Sequence, residues 1–257
     1  MGKFDGILLF SDWDNTIIYD GKIDERDVMK IRYFQENGGT FSICSGRFPD
    51  YFKDFTNLIS PNTYVIGLNG ALIKNINTNK ILFKNFISNR VLDIAYDLCI
   101  TEDLFKNVRL YLYNEELLVL SKDEFQTRFD SLKNEKLFKI VLEAADTEKI
   151  KKAKEFVDRK NIKEFAFERS NSLWLEVSDK SCNKGTAVNR LKKELNLKKI
   201  ITIGDYENDL SMIEAADIGY AVNNATDSLK IKADRITKSA CGGAIAEIIS
   251  EIENETV

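Results

Sequence analysis

Two aspartates, Asp12 and Asp14, stand two residues apart directly after the apolar run Gly6-Ile7-Leu8-Leu9-Phe10. Side chains two apart on extended backbone project to the same side, with Cα atoms roughly 7 Å apart. The pair can therefore converge on one object. The plain alternative is a turn after a strand, where aspartate and asparagine are common. A second acidic stretch, Gly204-Asp205-Tyr206-Glu207-Asn208-Asp209, also follows an apolar run, Ile200 to Ile203. In open parallel sheets ligands gather outside the carboxyl ends of the strands, which would bring three or four carboxylates to one edge. Two such charges about 4 Å apart repel by about 4 kcal/mol at an effective dielectric near 20. A proton or a cation must relieve that repulsion. Magnesium held by one or two carboxylates, water and a substrate phosphate fits an all-oxygen ligand set. For Asp209 taken alone, a solvated acid or a helix cap is the simpler reading.

Two further stretches bear on the same edge. Ser45-Gly46-Arg47 follows the apolar run Thr40 to Cys44 and precedes a helix signalled by Pro49. A hydroxyl and free backbone N–H groups at a helix start make an anion site, although serine and glycine after a strand usually mark only a turn. Lys184 opens a helix after Ser181-Cys182-Asn183. A cation there opposes the helix dipole. A nearby phosphate and carboxylate cluster would account for it; standing alone, it reads as an exposed lysine.

The chain contains no histidine. This removes Ser-His-Asp and Cys-His catalysis and HExxH zinc sites. Acid–base work falls to carboxylate, lysine, tyrosine or cysteine, and a metal would be held by oxygen, favouring magnesium, calcium or manganese over zinc.

The elements that must position these residues follow from periodicity. Ile7 to Phe10, Thr40 to Cys44 and Tyr64 to Gly67 read as short buried strands separated by helices over Asp24 to Asn37 and Pro49 to about Leu58, an α/β pattern with a parallel sheet. Ala71 to Lys74 and Lys80 to Lys84 form a small hairpin. After about Ile87 the texture changes. Helices over Asn89 to Glu102, Asp123 to Lys133 and Thr147 to Lys160 alternate with strands at Val108 to Tyr113, Leu117 to Ser121, Leu137 to Leu142, Phe165 to Phe167 and Leu173 to Val177. This is an α+β insert, and its Phe138, Phe165 and Trp174 read as core. The lysines of Thr147 to Lys160 read as a solvated face. The α/β pattern then resumes with a helix at Lys184 to Glu194, a strand at Ile200 to Ile203, a helix at Asn208 to Ala216, a strand at Ile218 to Val222 and a closing helix from Gly242 to Ile252. The resulting organisation is a first core segment 1–86, an insert 87–178 and a second core segment 179–257.

With 257 residues, 44% of them apolar, a sizeable core is possible. The net charge of −4 argues against a nucleic-acid binder, which needs a basic face. No run approaches the ~18 apolar residues of a membrane span, and the N-terminal residues carry no signal-peptide pattern. Cys44, Cys99, Cys182 and Cys241 are scattered, as in a reduced, cytoplasmic protein.

Together these stretches spell a pattern. The chain resembles the haloacid dehalogenase superfamily of phosphatases over nearly its whole length, and most of all the Cof-type, sugar-phosphatase-like subgroup. The first motif of that family, DxDxT, is met by Asp12-Trp13-Asp14-Asn15-Thr16. The second is met by Ser45 in SICSGR, the third by Lys184 in SCNKG and the fourth by GDYEND from Gly204 to Asp209. NGA at Asn69 to Ala71 and NNA at Asn223 to Ala225 are further Cof-like features. Asn15 stands where glycine is commoner, and asparagine tolerates positive φ. Trp13 is bulkier than the usual leucine.

The resemblance implies a Rossmann-like core with an inserted cap and a Mg2+-dependent phosphatase. In it Asp12 attacks phosphorus to form an aspartyl-phosphate, and Asp14 protonates the leaving alcohol and then activates water. It implies metal ligands at Asp12, Asp14 (through its backbone carbonyl) and Asp205, with Asp209 binding directly or through water, and phosphoryl contacts from Ser45, Lys184 and Asn208. Gly46 and Arg47 are candidate substrate contacts, as are cap loops and the second hinge near Asp179-Lys180. Caps of this kind sit over the site and set the preference for the part of the substrate beyond the phosphate. The expected partner is a small phosphorylated metabolite, a sugar or polyol phosphate, with no nucleic acid and no membrane. Rival readings are a phosphomutase of the same superfamily, a sucrose-phosphatase-like enzyme suggested by SDWDNT, and a non-catalytic metal- and phosphate-binding regulator. The last has no use for an intact nucleophile and acid together.

Overall fold

The computed structural model describes residues 2–255. These divide into two units: the residues up to Phe83 together with those from Asn183 onward, and Lys84–Cys182. The first segment runs β1 (Ile7–Ser11), a small hairpin of β2 (Ile18–Tyr19) and β3 (Lys22–Ile23), α1 (Glu25–Glu36), β4 (Thr40–Ile43), a 3-10 segment Pro49–Phe55, β5 (Val65–Gly67), β6 (Leu72–Lys74) and β7 (Ile81–Lys84). The insert supplies α2 (Arg90–Tyr96), β8 (Phe105–Leu112), β9 (Leu117–Ser121), α3 (Lys122–Leu132), β10 (Leu137–Ala144), α4 (Thr147–Arg159), β11 (Phe165–Asn171) and β12 (Trp174–Asp179). The chain returns with α5 (Lys184–Leu195), β13 (Lys199–Gly204), α6 (Leu210–Ala215), β14 (Ile218–Ala221), α7 (Asp227–Lys232), β15 (Arg235–Ile236) and α8 (Ala244–Glu255).

The first unit is built on a parallel sheet of order β15-β14-β13-β1-β4. β1 lies between β13 and β4 and is buried along its whole length, as an unbroken apolar run in a two-sided sheet requires. Alternate residues serve opposite faces. Leu9, Ile43, Ile201 and Ile203 join Ile31 and Phe34 of α1 and Ile245, Ile248, Ile249 and Ile252 of α8. Leu8, Phe10, Cys44 and Ile200 meet Ala187, Val188 and Leu191 of α5 and Met212 of α6. The result is a three-layer α/β sandwich.

The expected third parallel strand is present and also serves a second sheet. Val65–Gly67 touches the parallel sheet through an isolated bridge between Cys44 and Ile66 and forms a sheet of its own with β6 and β7. The cause is local: Leu68 and Asn69 take φ of 53° and 52°, which turns the chain straight back into β6. The hairpin β2–β3, the six-residue α7 and the two-residue β15 carry too few residues to show periodicity, and they emerge only in three dimensions.

The second unit is an antiparallel sheet of order β11-β12-β10-β8-β9. Val108, Leu110, Ile140, Leu142, Leu175 and Val177 face Val91, Leu92, Phe125, Ile150 and Phe156 from its helices. Phe165 belongs to this core and Phe138 is buried against Phe86. Trp174 is only half-buried and carries the Arg109 guanidinium over its ring. The four cysteines are unbridged, with Cys241 exposed. No helix among the described residues is long and apolar enough to cross a membrane.

Candidate active site

Adjacent parallel strands deliver the two acidic stretches to one place. The Asp12 N–H donates to the Ile203 carbonyl at 2.9 Å, carrying the β1–β13 pairing one residue past Ser11. Asp205 follows directly on Gly204, the last residue of β13. Asp12, Asp205 and Asp209 each offer a carboxylate oxygen within 4.8 Å of the others.

The fourth charge of the cluster is Lys184. Its Nζ donates to Asp12 Oδ1 at 2.6 Å and to Asp209 Oδ1 at 2.5 Å, and the side chain is completely buried. The simpler reading of Lys184 as an exposed lysine is thus overturned: the acids it meets outweigh the unfavourable helix terminus. Local sequence places it. Asn183 caps α5, accepting from the Thr186 N–H at 2.8 Å. Gly185 lets the first turn of α5 dock on α6, because a Cβ there would lie 2.1 Å from the Ser211 carbonyl oxygen. Gly204 is equally constrained: a Cβ would sit 2.4 Å from Asp209 Cγ. Asp209 Oδ2 accepts from the N–H groups of Asp205 and Tyr206 at 2.9 and 3.1 Å, so both Asp209 oxygens already have protein partners.

The electrostatics follow from this crowding. Burial, reinforced by Asp209 and only partly offset by Lys184, lifts the Asp12 carboxyl to about 7. Burial, with Asp12 and Asp209 alongside, lifts Asp205 to about 9. Burial works against a charged Lys184, yet Asp12 and Asp209 hold its pKa well above the ordinary value. Three carboxylates face one ammonium, an excess of two negative charges when all are ionised. An all-oxygen set with that excess suits a hard divalent cation.

The remaining positions are linked to one another. Ser45 is buried after β4; its Oγ accepts from the Arg47 N–H at 3.3 Å and its carbonyl accepts from the Asn69 N–H at 3.0 Å. Asn208 Nδ2 donates to Asn69 Oδ1 at 3.4 Å. Asn15 takes φ of 60°, the conformation for which glycine is commoner, and its carbonyl accepts from Asn224 Nδ2 at 2.9 Å.

Asp14 is held apart from this cluster of acids. Its two oxygens accept from Arg47, from Nε at 2.8 Å and from Nη2 at 2.6 Å. The Arg47 guanidinium in turn lies 4.4 Å over the Tyr51 ring. Sequence reasoning placed Arg47 only toward a substrate and missed Tyr51, whose signal was the aromatic spacing in Phe48-Pro49-Asp50-Tyr51-Phe52-Lys53-Asp54-Phe55. It also left Trp13 without a partner. Trp13 is fully buried, edge-on to Tyr51, Phe52 and Phe55 at centroid distances of 6.4, 5.1 and 4.8 Å.

Residues 9–249 match the family model described as haloacid dehalogenase-like hydrolase. The chain belongs to that family. YxeH of Bacillus subtilis (strain 168), which bears a phosphatase name, is 25% identical over 263 residues, covering 95% of this chain and 97% of that protein. The phosphoglycolate phosphatase of Methanobrevibacter smithii is 25% identical over 223 residues, covering 86% of this chain and 87% of its own. Among solved structures, the subclass IIB sugar phosphatase BT4131 shares the fold with a TM-score of 0.79 at 17% identity, covering 97% of this chain and 99% of that one. This family member is a Cof-type phosphatase, a phosphoric monoester hydrolase with an α+β insert in its α/β core.

Proposed function

We propose that the protein hydrolyses a small phosphorylated metabolite, a sugar or polyol phosphate, with Mg2+ and through an aspartyl-phosphate on Asp12. The observation that carries this is the meeting of Asp12, Asp205, Asp209 and Lys184 at one sheet edge. Asp12 and Asp205, together with the Asp14 carbonyl, would hold the metal, with Asp209 beside them in the same cluster. Bound there, Mg2+ supplies positive charge to the phosphoryl oxygens and so lets an anionic nucleophile approach an anionic ester.

The side chains do the rest. Asp12 attacks phosphorus, which splits one displacement into two easier ones. Lys184, Ser45 and Asn208 hold the phosphoryl oxygens, the lysine neutralising charge as it builds. Asp14 gives a proton to the leaving oxygen and then takes one from the attacking water. The insert, 87–178, is the cap that sets preference for the rest of the substrate.

A panel of phosphorylated metabolites, scored for released phosphate with and without Mg2+, tests the proposal. Release that disappears in Asp12→Asn supports it. An isomerised sugar phosphate in place of free phosphate identifies a mutase instead, and binding without turnover identifies a regulator.

A further inference from the structure

The ion pair between Arg47 and Asp14 is an exposed one, the two side chains being 41% and 48% accessible. Such pairs ordinarily hold poorly, because long side chains lose rotamer freedom to form them and water screens the charges. This one is bidentate, at 2.8 and 2.6 Å, a geometry that demands a planar guanidinium in a fixed orientation. The fixing comes from Tyr51. Its ring lies 4.4 Å under the guanidinium carbon and is itself wedged against Phe52, Phe55 and the buried Trp13, at 5.4, 5.3 and 6.4 Å. Trp13 lies between Asp12 and Asp14 in the chain. A closed mechanical loop results: backbone joins Asp14 to Trp13, ring contact joins Trp13 to Tyr51, stacking joins Tyr51 to Arg47, and two hydrogen bonds return to Asp14.

We propose that Tyr51 is a positioning residue for proton transfer, acting through Arg47 to fix where the Asp14 carboxyl stands. This rests on the reading of Asp14 as the proton-transfer group. In the step concerned, an Asp12 oxygen bonds to phosphorus as the bond from phosphorus to the leaving oxygen breaks. The electron pair stays on that oxygen, and the protonated Asp14 carboxyl supplies its proton. Both Asp14 oxygens accept from Arg47 in the structure, the arrangement of a carboxylate, so Asp14 first takes a proton from solvent water, keeping one of the two hydrogen bonds and turning its protonated oxygen to the leaving oxygen.

Leaving-group dependence isolates this role. The ratio kcat/KM reports events up to the first irreversible step, transfer to Asp12. A 2,4-dinitrophenyl leaving group departs without a proton, whereas an alkoxide such as that of glycerol 1-phosphate needs one. Tyr51→Leu should lower kcat/KM for glycerol 1-phosphate about 10- to 100-fold, a part of the full general-acid contribution, and change that for 2,4-dinitrophenyl phosphate less than about threefold. Tyr51→Phe, which keeps the ring, should restore the alkyl ester. Equal losses on both esters, or none on either, would overturn the role of Tyr51. Arg47→Gln gives an independent arm should Tyr51→Leu fold poorly: it must show the same selective loss, and a uniform loss refutes the route through Arg47. Asp14→Asn separates the two layers. A non-selective or absent effect there removes the underlying reading of Asp14, whereas a selective effect there with none at Tyr51 removes only the proposal made for Tyr51.

Discussion

Lys184 and Asp209 form an ion pair at 2.5 Å with side chains 0% and 1% exposed, and the same ammonium holds Asp12 at 2.6 Å. Removing one partner of a buried pair leaves uncompensated charge, at a cost of about 3–5 kcal/mol. Lys184→Met should therefore lower the free energy of unfolding by that order and abolish turnover. Urea titration of the variant beside the wild type measures the first, and phosphate release the second. A stability loss well under 1 kcal/mol would mean that the acids are not charged together in the folded protein.

The carboxylates should also report on the cation. Binding to the folded state alone stabilises it by mass action, about 2.7 kcal/mol at a hundred times Kd. Added Mg2+ should raise the thermal midpoint, and chelation should reverse the rise and stop turnover. Asp205→Asn should lose the Mg2+-dependent shift. Asp12→Asn should lose turnover without losing stability at neutral pH in metal-free buffer, because burial already disfavours a charged Asp12. Differential scanning fluorimetry across a Mg2+ series reads both variants.

Asp27 gives a pH signature remote from the site. The side chain is fully buried in the first turn of α1, and its Oδ1 accepts from the Ala246 N–H at the start of α8 at 2.7 Å. Burial lifts the carboxyl to about 6, against the pull of that hydrogen bond. With the folded value above the unfolded one, the folded state binds the proton more tightly. Stability from this group is complete below about pH 4 and is lost as pH rises to about 6, a loss of at most about 3 kcal/mol. Asp27→Asn keeps the acceptor and should flatten this part of the profile, gaining on the wild type between pH 4.5 and 7. Asp27→Ala loses the cap and should cost about 1 kcal/mol at pH 4. Chemical denaturation at several pH values, compared variant by variant, checks the sign.

The insert holds a second buried pair, Lys139 with Glu176, and the Lys139 ammonium lies 4.5 Å from the Tyr111 ring centroid. Lys139→Met alone should destabilise by about 3–5 kcal/mol, and Lys139→Met with Glu176→Leu by much less, since an apolar pair replaces an ionic one at little net cost. A double-mutant cycle on unfolding free energies gives the coupling directly.

The line between what could be read and what could not runs through particular residues. DxDxT, SGR, NKG and GDxxND are read in order along the chain, and their roles come through the resemblance they carry. The unbroken apolar runs before Asp12 and Asp205 announce two-sided strands, so the α/β core, the insert and the candidate acids were legible in the chain itself, because period and composition are local properties. Val65–Gly67 was legible as a strand parallel to β4, but its second pairing with β6 follows from two successive left-handed residues, Leu68 and Asn69, which no periodicity registers. Lys184 and Asp209 are 25 residues apart and Asp14 and Arg47 are 33 apart. Their pairings, the burial that lifts Asp12 and Asp205, and the aromatic support beneath Arg47 are decided only by tertiary structure. Desolvation and pairing depend on which distant segments the folded sheet brings within a few ångströms, a distance that order along the chain does not contain.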